Sequence, residues 1–245
     1  MTEIAGETRR TFAVVDSGRG DTALFNEPGP PVTPVEYARF RAMFAAQLGG
    51  ATAVVLSGSL PSGLAAGTYA DLIALAANAG VPALLDTSGE ALMLGAAAGP
   101  EIVKPNLAEL HALADGAGSA DPAGSWCCSP VAAAARHADS LRVMGASAVV
   151  VTLGSDGLLA LTPEESWHAR PQHVSGGNPT GAGDAAAAGL AHGLATGRPW
   201  RDRVTHAAAL GAAAVTAPVA GELDLSDYHR ALAGVQVSAA RQPCH

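Results

Sequence analysis

Short apolar runs alternate with helix-length stretches along most of the chain, and this alternation limits the fold more than any other feature. Thr11–Asp16 (TFAVVD), Ala51–Leu56 (ATAVVL), Ala83–Asp86, Glu101–Val103 and Ser147–Thr152 each read as a strand. Helical patterns with their own start and stop signals lie between them. Strands separated by helices cannot pair as hairpins, because a parallel pair needs a crossover of a dozen or more residues. The expected class is therefore α/β with a mostly parallel central sheet. Aromatic residues make up only 4% of the chain against 49% hydrophobic, so the core must be built from Ala, Val and Leu.

Local chemistry sets several boundaries. Thr33-Pro34-Val35-Glu36 combines an N-cap, Pro at the first helical position and Glu at the third, which opens a helix running to about Leu48. Thr68–Asn78 reads as a helix stopped by Gly80, and Ser88 is expected to cap another short helix. Gly157–Leu161 and Trp167–Ala169 read as shorter antiparallel strands. The Ala/Gly-rich helices Ala182–Ala195 and Arg201–Thr216 are expected to pack closely on each other. Asp115–Ser129, rich in Gly, Ala, Ser and Pro, reads as a surface loop. His111, His137, His192, His206 and His229 fall in helical segments without metal-ligand spacing and are given no role. The length of 245 residues suits one large domain, taken as residues 1–245.

Charge and cysteine usage exclude some partners. A net charge of −8 argues against wrapping a nucleic acid backbone, which needs a basic face. It leaves open a small anion held by a helix N-terminus. Cys127, Cys128 and Cys244 form no CxxC and read as incidental thiols. The opening MTEIAGETRR has no apolar h-region, and no run approaches the ~18 apolar residues of a membrane span. The expectation is a cytoplasmic protein without a membrane partner.

Four segments could carry chemistry. In Asn178-Pro179-Thr180-Gly181-Ala182-Gly183-Asp184 a Gly-rich turn feeds straight into a helix. Its first N–H groups have no intrahelical partner and sit at the positive end of the helix dipole, so they point at an anion. Asp184 beside that anion is either a helix-start residue or a general base next to a phosphoryl group. The dinucleotide pattern Gly181-x-Gly183-x-x-Ala186 is superficial, since no apolar strand leads into it and Asp202 lies within a helix. Lys104-Pro105-Asn106-Leu107-Ala108-Glu109 follows an apolar strand, where ligands collect in open α/β sheets. Asn106 and Glu109 are oxygen donors that suit Mg²⁺, and they equally fit a capping box. Ser57–Gly63 (SGSLPSG) could hold a sugar or phosphate, or be an ordinary strand-to-helix loop. Thr152–Gly157 (TLGSDG) could let a nucleotide lie over a strand end, or be a β-turn.

Taken in order, GETR, NEPGP, SGSLPSG, DTSGEAL, VKPNLAEL, VTLGSDG and NPTGAGD resemble the PfkB (ribokinase-like) family of carbohydrate kinases, from about Gly6 to the C-terminus. The likeness is strongest to the hexose-phosphate branch, which contains 1-phosphofructokinases and tagatose-6-phosphate kinases. It implies a ribokinase-like three-layer sandwich and phosphorylation of a sugar-phosphate hydroxyl by ATP with Mg²⁺. By the same resemblance Asp184 is the catalytic base, and Gly181, Ala182 and Gly183 form its anion hole. Lys104, Asn106, Thr152, Gly154, Gly157 and Gly183 meet the nucleotide, Asn106 and Glu109 organise the metal, and Arg9, Ser59 and Asp184 face the sugar. The family's Gly-Gly-x-x-x-Asn motif and early Asp have no counterpart before Arg9, so the N-terminal strands and most of the lid are expected to be missing. Family lids often pair between subunits, which leaves room for a homodimer. Two other readings stay open: a remnant that binds nucleotide with impaired catalysis, and a ribose or nucleoside kinase of the same fold.

Overall fold

The computed structural model describes residues 2–16, 21–116, 130–174, 177–217, 219 and 221–240. The three cysteines and most of the expected loop Asp115–Ser129 lie outside the described residues. In chain order the elements are β1 (Thr11–Asp16), β2 (Asp21–Asn26), α1 (Pro34–Leu48), β3 (Val54–Ser57), α2 (Thr68–Asn78), β4 (Ala83–Asp86) and α3 (Gly89–Ala97). There follow β5 (Ile102–Val103), α4 (Leu107–Gly116), α5 (Pro130–Met144), β6 (Ala148–Thr152), β7 (Leu158–Leu161) and β8 (Ser166–Arg170). The chain closes through α6 (Ala182–Ala195), α7 (Trp200–Thr216), α8 (Leu225–Gly234) and β9 (Gln236–Ala239).

Among the described residues the main sheet has seven strands in the order β3-β4-β5-β6-β7-β8-β9. It is parallel from β3 to β6 and antiparallel from β6 to β9. Strand alternation splits its side chains between two cores. Leu56, Leu85, Val103, Val149 and Val151 pack with helices α2, α3, α4 and α5 on one face. Leu84, Ile102, Val150, Leu158 and Ala160 pack with α6 and α7 on the other. These are the three layers that the family resemblance implies, and the fully buried strand residues explain why β4 to β6 read as unbroken apolar runs.

The α1 start forms as its sequence dictates. The Thr33 hydroxyl accepts from the Glu36 N–H, and the Glu36 carboxylate accepts from the Thr33 N–H at 2.8 Å. Ser88 does stand at the N-cap of α3, but its side chain makes no capping hydrogen bond. Strand β3 begins at Val54 rather than Ala51. Three elements carry no expectation from the sequence: β2, α8 and β9. Among the described residues strand β2 pairs only with β1, in a two-stranded sheet separate from the seven-stranded one, so no deep core imposes an apolar pattern on it. Helix α8 has no buried residue, and β9 is an edge strand with half-buried Val237.

The close α6–α7 contact holds. A β-carbon on Gly189 would lie 2.8 Å from the Ala207 Cα, and one on Gly193 would lie 2.7 Å from the Arg203 Cγ. The expected turn at Gly154–Gly157 forms as one turn of 3-10 helix over Gly154–Asp156, closed by Gly157 at φ +87°. A β-carbon at Gly157 would lie 2.1 Å from the Ala169 carbonyl oxygen. Gly157→Ala should therefore destabilise the fold by roughly 2–5 kcal/mol, combining left-handed strain with a backbone clash. Urea denaturation reads this directly, and a change below about 0.5 kcal/mol would refute it.

Candidate functional site

Strands β3 to β6 run parallel, so their C-terminal ends share one edge of the sheet, where open α/β folds gather ligands. Ser57, Asp86, Lys104 and Thr152 all emerge at that edge. The Lys104 N–H donates to the Leu85 carbonyl at 2.8 Å, and the Thr152 N–H donates to Pro105 at 3.0 Å. Those two bonds stitch the Lys104–Asn106 segment between β4 and β6, and Asn106 bridges to Thr152 in parallel register.

The electrostatic centre of the edge is an ion pair. Lys104 Nζ lies 3.1 Å from Asp86 Oδ1, and the two side chains are 5% and 16% exposed. Burial pushes the Asp86 carboxyl up from its ordinary value, while the Lys104 ammonium pulls it down and the nearby Asp184 carboxylate raises it further. The Ser57 hydroxyl also hydrogen-bonds Asp86. The Gly58 N–H donates to the Asp86 carbonyl at 2.9 Å, and Thr87 Oγ1 donates to the Gly58 carbonyl at 2.9 Å. Tyr69 OH donates to the carbonyls of Ser57 and Gly58.

Helix α6 starts above this pair. The Thr180 N–H bonds the Asn178 Oδ1 at 3.0 Å, and Gly181 turns the chain into the helix at φ +87°. A β-carbon on Gly183 would lie 3.7 Å from Lys104 Nζ, so the ammonium sits directly against the first turn. The three amides expected to form an anion hole are not equivalent. The Ala182 N–H is committed to the Pro179 carbonyl at 3.1 Å. Among the described residues the Gly181, Gly183 and Asp184 amides have no main-chain acceptor. Asp184 is exposed at the same helix start, close enough to Asp86 for their charges to interact.

Beside α6 lies a cleft of about 660 Å³, within the range of small-molecule sites. Asn106, Thr152, Gly154, Gly157 and Gly183 line it among the residues expected at a nucleotide, together with Ala182 from the expected anion hole. Apolar groups from Leu153, Ala186, Ala207, Ala208 and Val215 fill much of the remaining wall. Lys104, Glu109, Gly181 and Asp184 stand outside its lining. Arg9 and Ser59 are exposed and also stand outside it. Arg9 lies along Gly29, where a β-carbon would be 3.8 Å from its Cδ, and Ser62 Oγ donates to the Gly29 carbonyl at 3.5 Å. Ser59 follows Gly58, the residue tied to Asp86 and Thr87.

The Asn106–Glu109 pair forms a complete capping box. The Asn106 N–H donates to Glu109 Oε2 and the Glu109 N–H donates to Asn106 Oδ1, each at 2.8 Å. Among the described residues no group of three or more His, Cys, Asp or Glu gathers as ligands. Asn106, which lines the cleft, and its capping partner Glu109 are oxygen donors of the kind that fit Mg²⁺, which keeps most of its water and takes few protein ligands. The sequence reading gave no role to Asp86. Its signal was available: a carboxylate closing an otherwise apolar parallel strand (ALLD) points to the ligand edge.

Gly183→Ala separates folding from site chemistry. The added methyl meets only ordinary contact distance, and Ala is the better helix former by up to ~1 kcal/mol. Thermal stability should hold or rise, while any reaction at this helix start should slow by roughly tenfold or more because the methyl covers Lys104. Loss of stability with unchanged activity would contradict this geometry.

Residues 2–226 match the description "pfkB family carbohydrate kinase". A 1-phosphofructokinase from Xanthomonas campestris is 36% identical over 195 residues, covering 78% of this chain and 58% of the relative. A 1-phosphofructokinase from Escherichia coli K12 is 32% identical over 191 residues, with the same two shares. The chain thus spans 58% of the length of these curated relatives. Among solved structures, Escherichia coli phosphofructokinase-2 in complex with substrates and products is similar with a TM-score of 0.81 and 28% identity, covering 95% of this chain and 72% of that one. No helix among the described residues is long and apolar enough to cross a membrane.

Proposed function

The chain belongs to the pfkB family of carbohydrate kinases, and from that footing we propose that it transfers the terminal phosphoryl group of ATP to a hydroxyl of a sugar phosphate. The observation that carries this reading is the Lys104 ammonium held against Gly183 in the first turn of α6, with the apolar cleft alongside. The likeness to 1-phosphofructokinases favours a phosphorylated hexose as acceptor. We read residues 1–245 as one kinase domain.

In this reading the adenine lies in the cleft between Thr152–Gly157 and α7, whose small and apolar side chains leave room for a flat ring. The triphosphate end reaches the start of α6. There the Gly181 and Gly183 amides and the Lys104 ammonium face the charge that grows on the transferring oxygens. Asp184 accepts the proton of the attacking hydroxyl, so the O–H electron pair becomes the new O–P bond while the β–γ P–O bond breaks and ADP leaves. Asn106 and Glu109 are the residues that would hold Mg²⁺ and its waters, and the ion would neutralise phosphate charge. Arg9, exposed on the Gly29 side of the Ser57–Gly63 loop, would meet the acceptor's phosphate, and Ser59 its hydroxyls.

An ADP-release assay on fructose 1-phosphate, fructose 6-phosphate, tagatose 6-phosphate and their unphosphorylated sugars tests the proposal. Turnover is expected with a phosphorylated hexose and above that with the free sugars. Preference for a free pentose or nucleoside would replace the acceptor class. Firm ATP binding with no acceptor phosphorylated would leave nucleotide binding as the chain's activity.

A further inference from the structure

We propose that Asp86 is a positioning residue for phosphoryl transfer, acting by fixing the Lys104 ammonium against the first turn of α6. The proposal rests on the kinase reading above. A lysine side chain is a flexible stem with a point charge at its end, and holding that charge at one place requires a partner. Asp86 is that partner at 3.1 Å, and it is itself framed tightly. Its carbonyl accepts from Gly58, the Ser57 hydroxyl bonds its side chain, and Tyr69 and Thr87 fix the Ser57–Gly58 main chain. Lys104 is anchored next door through its own N–H to Leu85. Held this way, the ammonium sits 3.7 Å from where a β-carbon on Gly183 would be.

Stability alone is a poor reason for such a pair. Two charges this deeply buried lose much of their mutual attraction to desolvation, and a well-packed apolar pair of similar volume would serve the fold as well or better. The arrangement makes physical sense as a fixed positive charge aimed at an anion. Asp86 need not touch the substrate to fill this role, since its effect passes through Lys104.

A double-mutant cycle on Asp86→Asn and Lys104→Met tests this, read as kcat, KM for the sugar phosphate, and calorimetric ATP affinity. Asp86→Asn should lower kcat by roughly 10–100-fold while KM for the sugar phosphate stays within about threefold. In the Lys104→Met background the same Asp86→Asn change should cost no more than about a further twofold. If the two losses multiply, Asp86 acts on its own, for instance on a metal, and the proposal falls. It also falls if Asp86→Asn leaves kcat unchanged. Should Lys104→Met fail to fold, Lys104→Gln, which removes the charge and keeps a polar side chain, supplies the second background for the cycle. If the wild-type chain binds ATP and transfers nothing, the kinase reading alone fails, and the cycle on ATP affinity must show the same coupling for Asp86 to stand. A wild-type chain that binds no ATP overturns both.

Discussion

Asp184→Asn should reduce turnover by about 10²–10⁴-fold, the range that a positioned general base contributes, while ATP affinity changes little. Each factor of ten corresponds to about 1.4 kcal/mol of transition-state stabilisation. The substitution is nearly isosteric and removes the carboxylate's negative charge and, with it, the proton-accepting capacity. Asp184 is exposed and lies in the first turn of α6, so the fold loses at most its interaction with the helix dipole, typically ~0.3–1 kcal/mol. The measurement is steady-state ADP release with the acceptor that the panel identifies, with calorimetric ATP binding and a thermal melt as controls. Equal rates for wild type and variant would remove Asp184 from the chemistry.

Lys104→Met should destabilise the fold strongly. It leaves the Asp86 carboxylate, 16% exposed, without its counter-charge. Breaking one side of a buried pair costs about 3–5 kcal/mol, or roughly 6–20 °C in a chain of this size. The double variant Asp86→Asn/Lys104→Met removes both charges and should recover much of that loss. The pH dependence has a definite sign. Burial already holds the Asp86 pKa above its ordinary value, and without Lys104 it rises further. A carboxyl with a raised folded-state pKa favours the folded state when protonated. The deficit of Lys104→Met should therefore be largest near neutrality and should shrink as pH falls through the raised value toward about 3.8, the ordinary carboxyl value. Chemical denaturation at several pH values reads it. A deficit that stays constant with pH would mean that Asp86 is not the group left stranded.

Much of the architecture was legible because its causes are local. The Thr33–Glu36 capping box, the bounds of Thr68–Asn78 and the start of α6 after Gly181 each depend on residues within one or two turns. The fully buried strands β4 to β6 declare themselves by composition, since both faces must be apolar. The elements that escaped notice, β2, α8 and β9, are those without a deep core to impose a pattern. Asn106 and Glu109 illustrate a motif that admits two readings: the capping box forms in full, and Asn106 also lines the cleft.

The amino-acid order alone fixed the α/β class, most helix boundaries and the Gly-rich helix start, because capping, φ-angle preference and side-chain periodicity act over a few neighbouring residues. Only the folded arrangement decided that Asp86 on one strand would grip Lys104 beyond the next, that the ammonium would meet Gly183, and that the Ala182 amide would be spent on Pro179. Those contacts join segments far apart along the chain. They are set by the parallel register of β4 and β5 and by the seating of α6 on the sheet, a matter of packing in three dimensions that no local pattern encodes.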